Sequence, residues 1–238
     1  MNKILNDLLN FVYPPYCSIC KESLHGGNII CNSCFEKIHF TSKNRCKICG
    51  KKIKSGRVCK DCEQDPPFFD FVIGCGNYVP PLSNIIKIYK YNHRPSLSEH
   101  LSRMLYSLYQ SRGDLKRIKV VSWVPMRRTE LRERGYNQSK LLAENFANYA
   151  NLKSAPLLKK VRNIPSQTKL PYERRLSNVF GAYKVNDEYL ELLNNDLEEG
   201  IILIDDVITT SSTMNECARV LKEKGVKKII GMVLAISS

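Results

Sequence analysis

Eight cysteines stand in two repeated units near the start of the chain. The first is Cys17-x2-Cys20 followed by Cys31-x2-Cys34, and the second is Cys46-x2-Cys49 followed by Cys59-x2-Cys62. A Cys-x2-Cys step bends the backbone into a tight knuckle that aims two thiolates at one point, and two knuckles close a tetrahedral site. Zinc suits four thiolates because it has no redox demand and tolerates an all-sulfur shell. Such a site leaves no position for a water, so the expected role is structural, with two zinc ions under sequential pairing. Interleaved pairing satisfies the same spacing. A segment this short has little core of its own, and metal binding supplies its folding free energy. Lys43, Arg45, Lys47, Lys51, Lys52, Lys54 and Arg57 crowd the second unit. They suit either solvated surface or a face that docks on phosphate. Cys75 and Cys217 stand outside the pattern and are expected as buried thiols.

A second constellation lies at Gly200–Lys222, GIILIDDVITTSSTMNECARVLK. An apolar strand ends in two adjacent acids, Asp205 and Asp206. Five small hydroxyl residues follow, Thr209, Thr210, Ser211, Ser212 and Thr213, and then a helix. The spacing of Thr213 and Glu216 predicts a capping box at the helix start. Loop N–H groups and a helix N-terminus together form an anion pocket, to which hydroxyls add neutral donors. The two acids are better placed to accept from sugar hydroxyls or to reach Mg²⁺ through water. The expected ligand is therefore a sugar phosphate with Mg²⁺. The chain has neither a G-x-x-x-x-G-K-[ST] loop nor a G-x-G-x-x-G loop, which argues against P-loop and dinucleotide sites.

The elements that must position these residues alternate. Helical periodicity covers Leu82–Tyr91, with Leu82, Ile85, Ile86 and Tyr89 on one face. It also covers Leu97–Tyr109, with Leu101, Met104, Leu105 and Leu108, and Asn137–Tyr149, with Leu141, Leu142, Phe146 and Tyr149. Strands are expected at Lys119–Val124, Phe180–Val185, Gly200–Ile204 and Lys228–Ile236. Phe68–Tyr78 is β-prone. A short helix is expected at Pro171–Leu176 and a longer one at Ser212–Lys224. Alternation of this kind implies an α/β fold, a mostly parallel sheet with flanking helices. The run DCEQDPP at Asp61–Pro67 reads as a linker, so the domain boundary is placed at residue 66: a cysteine domain over 1–66 and an α/β domain over 67–238.

Charge separates the chain further. The net charge is +14 over 238 residues. Residues 71–178 hold 20 Lys/Arg against 6 Asp/Glu, whereas residues 179–238 hold 6 against 10. A concentrated basic segment attracts phosphate-bearing partners. Arg127, Arg128, Arg132 and Arg134 form one group, and Arg162, Lys169, Arg174 and Arg175 a second. A diphosphate needs only a few cations, so the surplus points to a longer polyanion. Single-stranded DNA fits, with Tyr89, Tyr91 or Tyr136 available to stack on bases, although Tyr89 sits on an apolar face and suits a core. No apolar run is long enough to span a membrane. Met1–Tyr16 carries Asp7 and no uninterrupted apolar region, so a cytoplasmic, reducing location is expected.

Ile204–Thr213 (IDDVITTSST) resembles the phosphoribosyl-pyrophosphate (PRPP) signature of type I phosphoribosyltransferases. With the N-terminal cysteines, the whole chain resembles the ComF family, associated with DNA uptake in competent bacteria. Further segments match: Ile88–Tyr91 (IYKY), Val124–Arg128 (VPMRR), Leu131–Ser139 (LRERGYNQS), and PSQ with ERRLSNVFGAY within Asn163–Tyr183. The resemblance implies a type I phosphoribosyltransferase-like domain behind a double zinc ribbon. Asp205 and Asp206 would bind ribose hydroxyls, and Thr209 to Thr213 would wrap the 5′-phosphate. Pro125–Arg128, with Met126, Arg127 and Arg128, would form the pyrophosphate loop, and Arg132, Arg134 and Gln138 a mobile segment. Arg162, Lys169, Arg174 and Arg175 are the candidates for DNA. The family signature has glycine where this chain has Ser211, and glycine there permits positive φ and close approach to phosphate. Two functions remain open: a phosphoribosyl transfer with loss of pyrophosphate, or a non-enzymatic adaptor whose ribbons dock DNA or a helicase partner.

Overall fold

A computed structural model of the chain describes residues 16–24, 30–40, 44–162 and 179–237. Five strands form the main sheet: β1 (Phe71–Asn77), β2 (Val120–Trp123), β3 (Lys153–Ser154), β6 (Ile201–Ile208) and β7 (Ile229–Ile236). Their order is β1-β7-β6-β2-β3, and every pairing is parallel. Two short strands, β4 (Leu158–Lys160) and β5 (Tyr183–Val185), pair antiparallel in a separate ribbon. The architecture is the expected α/β one, a parallel sheet between helices.

Parallel strands covered on both faces read as continuous apolar runs, and β6 and β7 do. Alternation along β6 sends Ile201 and Leu203 into one buried cluster and Ile202 and Ile204 into the other. The second cluster packs under α3 (Leu82–Tyr91), α4 (Leu97–Gln110) and α6 (Gln138–Ala150). α3 buries Leu82, Ile85, Ile86 and Tyr89, the face expected from its periodicity. α6 buries Leu142, Ala143, Phe146 and Ala147, while the expected Leu141 and Tyr149 are only half-buried. The first cluster lies under α8 (Ser212–Glu223), which contributes Met214, Cys217, Ala218 and Leu221. Cys75 and Cys217 are buried free thiols, as expected. Burial pushes the Cys75 thiol up to about 12 and holds Cys217 well above the ordinary range, so neither is a ready nucleophile.

Four differences from the periodicity stand out. β6 runs on to Ile208, through both aspartates, because β7 extends to Ile236 and pairs Val207 with Ala235 and Ile208 with Ile236. α5 (Arg128–Arg134) is a helix with no buried residue, so no apolar stripe announces it. A short α7 (Asp187–Leu192) also buries nothing. The expected strand from Phe180 begins only at Tyr183. The helix expected at Pro171–Leu176 lies outside the described residues. Among the described residues no helix is long and apolar enough to cross a membrane.

The cysteine segment folds onto the sheet. Its two short helices are α1 (Asn32–Glu36) and α2 (Lys60–Gln64), each starting beside a metal-ligand cysteine. The Val72 N–H donates to the Ile48 carbonyl at 2.7 Å, and the Asn77 N–H donates to the His39 carbonyl at 2.9 Å.

Candidate functional site

The cysteines gather in sequence order. Cys17, Cys20, Cys31 and Cys34 form one tetrad and Cys46, Cys49, Cys59 and Cys62 the other, with the sulfurs of each within 4.8 Å of one another. All eight are free thiols, and the interleaved alternative is excluded. Backbone N–H groups aim at the sulfurs: Cys31 N–H donates to Cys17 Sγ at 3.4 Å, and Cys59 N–H donates to Cys46 Sγ at 3.3 Å. At Cys17 burial favours the thiol, but the N–H groups of Cys31, Cys20 and Ile19 outweigh it and bring the group down to about 6. The same opposition brings Cys46 down to about 7. Cys34 and Cys49 are pushed up to about 12 by burial and by the sulfurs around them. Four crowded thiols cannot all ionise without a cation at their centre, and a dication removes that conflict. The donor set thus fits two structural zinc ions.

The other site lies past the end of β2, where Trp123 pairs with Ile204 and β6 runs on through both aspartates to Ile208. Neighbouring parallel strands send their following loops to the same end of the sheet, the usual ligand position in open α/β sheets. Pro125–Arg127 leaves β2 there and Thr209–Ser211 leaves β6. Ser211 is the N-cap of α8 and holds φ 62°, ψ −4°. A serine therefore occupies the left-handed backbone that a glycine would adopt freely. Its hydroxyl is enclosed and has no hydrogen-bond partner among the described residues. The Thr210 and Ser212 hydroxyls lie 2.9 Å apart.

The capping box expected from Thr213 and Glu216 does not form. The helix starts at Ser212, as expected, so its N-cap is Ser211, two residues before Thr213, and it has no side-chain cap bond. Glu216 turns away and accepts from the Gly181 N–H at 2.7 Å and from Arg219 at 2.7 and 2.8 Å. The first-turn N–H groups of α8 consequently keep no carboxylate of their own, which suits an external anion.

The paired acids are held apart in character. Asp206 is buried and forms an ion pair with Lys90 Nζ at 2.8 Å. Burial works against the Lys90 charge, and Asp206 more than offsets it, so Lys90 titrates above the ordinary lysine range. Asp205 accepts from the Ser139 hydroxyl at 2.9 Å and from the Asp206 N–H at 2.9 Å. Desolvation of its carboxyl, reinforced by the neighbouring Asp206 charge, pushes Asp205 up to about 7. One acid is thus neutralised by a lysine, and the other exchanges a proton near neutral pH. Lys90 and Ser139 both lie in motif segments, yet spacing alone assigns neither a role. Only the packing of α3 and α6 against β6 brings them to the aspartates.

The remaining candidates are spread over the same side. Arg127 caps α5, and its N–H donates to Glu130 at 3.1 Å; Glu130 in turn pairs with Lys160 at 3.2 Å. Met126 is half-buried, whereas Arg128 and Arg132 are exposed. Arg134 lies over the exposed Tyr91 ring, 5.3 Å from its centroid. Gln138 opens α6 and is buried rather than in a loop. Tyr89 is buried in the core and donates to the Gln138 carbonyl at 2.9 Å. Tyr136 donates to the Tyr89 carbonyl. Of the three tyrosines considered for stacking, Tyr91 alone is exposed. Arg162 is exposed and donates to the Phe180 carbonyl at 2.6 Å. Lys43, Lys169, Arg174 and Arg175 lie outside the described residues.

Fold and site define an α/β protein with a turn of small hydroxyl residues at the start of α8 and two four-cysteine sites on its N-terminal side. Comparison with known proteins narrows this. Residues 8–63 match the family described as a double zinc ribbon domain. Competence protein F of Haemophilus influenzae is 28% identical over 220 residues, spanning 90% of this chain and 93% of its own. DNA utilization protein YhgH of Escherichia coli K12 is 29% identical over 219 residues, spanning 89% and 92%. Competence protein ComFC of Bacillus subtilis is 29% identical over 217 residues, spanning 82% and 79%. These relatives bear out the resemblance to the ComF family read from the motifs.

Proposed function

We propose that the chain is a PRPP-binding, phosphoribosyltransferase-like protein that acts on, or accompanies, single-stranded DNA during uptake. The carrying observation is the Ser211 turn: a strained, left-handed residue with an enclosed hydroxyl, at the start of a helix, one strand-end away from two acids. The names of the full-length relatives, competence and DNA utilization, support the setting.

In this reading Thr209, Thr210, Ser211, Ser212 and Thr213 wrap the 5′-phosphate with backbone N–H groups and hydroxyls. Asp205 and Asp206 accept from the ribose hydroxyls, and water-bridged Mg²⁺ is held beside them with the diphosphate. Met126, Arg127 and Arg128 border the diphosphate, and Arg132 and Arg134 lie on the next helix. Tyr91 with Arg134, and the group Arg162, Lys169, Arg174 and Arg175, form the DNA side. Transfer at C1 would need little beyond positioning and stabilisation of departing pyrophosphate by cations. The domain division near residue 66 belongs to the same reading.

Calorimetric titration of the zinc-loaded chain with PRPP and Mg²⁺ tests it. Saturable binding is expected, and no binding at millimolar PRPP overturns it. Pyrophosphate release with single-stranded DNA or free bases present separates transfer from an adaptor role. The adaptor reading has its own support in the Lys90–Asp206 pair, which already occupies one of the two acids. Tight binding without release selects the adaptor. DNA affinity should fall steeply with salt.

A further inference from the structure

The two cysteine sites are alike in sequence and unlike in surroundings. Cys17 and Cys34 form a small cluster of their own with Leu24. Cys46, Cys49 and Cys62 belong instead to the main buried cluster beneath α8, together with Val72, Ile208, Met214 and Ile236. Ile208 ends β6 and Met214 lies in the first turn of α8, so these residues bracket the turn at Thr209–Thr213.

Several contacts tie the second site to that turn. A cavity of about 200 Å³ is lined on one side by Cys49, Cys62 and Lys51 and on the other by Ser211, Ser212 and Asn215. The Phe68 N–H, just beyond the second knuckle pair, donates to Asn215 Oδ1 at 2.6 Å. Gly50, at φ +73°, sits so close to the sheet that an added Cβ would lie 2.5 Å from Ile236 Cδ1. The Ser211 backbone is unfavourable for a serine, and such a conformation persists only where its surroundings over-determine it. The second ribbon is the surrounding on one side.

We propose that the second metal site braces the phosphate turn, so that sugar-phosphate affinity depends on zinc at Cys46, Cys49, Cys59 and Cys62 and not on zinc at the first tetrad. The inference rests on reading Thr209–Thr213 as the phosphate cradle. The brace itself is a statement about the ligand-free chain and can be measured there. Loss of the second ion frees the Cys49 and Cys62 side of the cavity and releases the turn from its strained backbone. Loss of the first ion leaves both in place.

The test uses full-length protein with zinc content measured in each variant. Cys20→Ser with Cys31→Ser empties the first site, and Cys49→Ser with Cys59→Ser empties the second. Hydrogen exchange without ligand is read over residues 207–215, with β2 as the internal standard. Exchange in 207–215 is expected to rise more than tenfold in the second pair and to stay at the wild-type rate in the first. The Kd for PRPP should weaken at least tenfold in the second pair alone. If emptying the second site also exposes β2, Gly50→Ala decides, since it strains the left-handed Gly50 backbone and crowds both Ile236 and the Val72 carbonyl, loosening the ribbon's seat on the sheet with all eight ligands kept. Faster exchange at the turn with two zinc ions retained supports the brace. Wild-type exchange at the turn in Gly50→Ala, or equal effects of the two cysteine pairs, overturns it. Should wild-type protein bind no PRPP while turn exchange still follows the second site, the cradle reading fails and the brace stands.

Discussion

The ribbon segment and the parallel sheet reach stable structure by opposite means. The first ribbon buries Cys17, Leu24 and Cys34 and little else; its order comes from ligand geometry around a metal. The sheet buries whole strands, and all eight residues of β7 are enclosed. Its acidic groups are held in the second half of β6, as Asp206 with Lys90 and Asp205 with Ser139. One half therefore stakes its fold on an ion, and the other can carry strained and charged groups at one end because its apolar body tolerates them.

The sharpest break between the two is metal removal. Structural zinc contributes about 10–16 kcal/mol to the folding of small cysteine modules. Chelation should therefore erase amide protection across residues 44–62, while emission from the single tryptophan, Trp123 in β2, stays at its folded value. Simultaneous loss of both signals would show the halves to be one cooperative unit.

Next in size is Asp206→Ala, which strands the Lys90 ammonium in the interior. Breaking a buried pair from one side costs about 3–5 kcal/mol, to be read by urea unfolding at Trp123. Lys90→Met combined with Asp206→Leu should recover most of that stability without restoring PRPP binding. A single substitution with no stability cost would mean that the pair is not enclosed as described.

A smaller effect concerns pH. The folded Asp205 carboxyl titrates near 7, above its unfolded value, so between these values the folded state binds more protons. Stability should then fall as pH rises from about 4 to about 7, and it rises with pH only where the unfolded state holds more protons. Asp205→Asn should flatten that slope, as measured by denaturant midpoints across the range. An unchanged slope would remove Asp205 from the account. The smallest expected change is Tyr91→Ala, which deletes an exposed ring beside Arg134. A lost stacking contact costs about 1–3 kcal/mol per base. Weaker single-stranded DNA binding with PRPP affinity unchanged would confine DNA to this face, and no change would place it elsewhere.

Much of this was readable beforehand where one signal dominated. The face of Leu82, Ile85, Ile86 and Tyr89 was legible because four apolar residues fall at helical spacing and nothing competes with them. The pairing of cysteines was legible only to two alternatives, since spacing says where knuckles form and not which of them meet. The end of β6 was misread at Ile204 because two aspartates look like a strand terminus. The partners that let them continue, Lys90 and Ser139, are supplied from distant segments. Thr213 and Glu216 have capping spacing, but Arg219, one helical step beyond Glu216, competes for the carboxylate and wins it. α5 was invisible because its stabilising contacts are charged rather than apolar. Strand order was beyond reach too, since the first strand of the sheet lies beside the last.

That last placement leaves β1 outermost, with one side open past β7. A seven-residue apolar strand in such a position offers unpaired backbone groups to any other chain and invites aggregation. Here the ribbons cover it, through Ile48 opposite Val72, His39 opposite Asn77, and a bridge from Phe40 to Gly76. The opposite border, β3, is only two residues long and both are exposed. The metal-bound segment thus acts as a guard against self-association. A preparation stripped of zinc should cloud and precipitate through β1 long before its sheet melts.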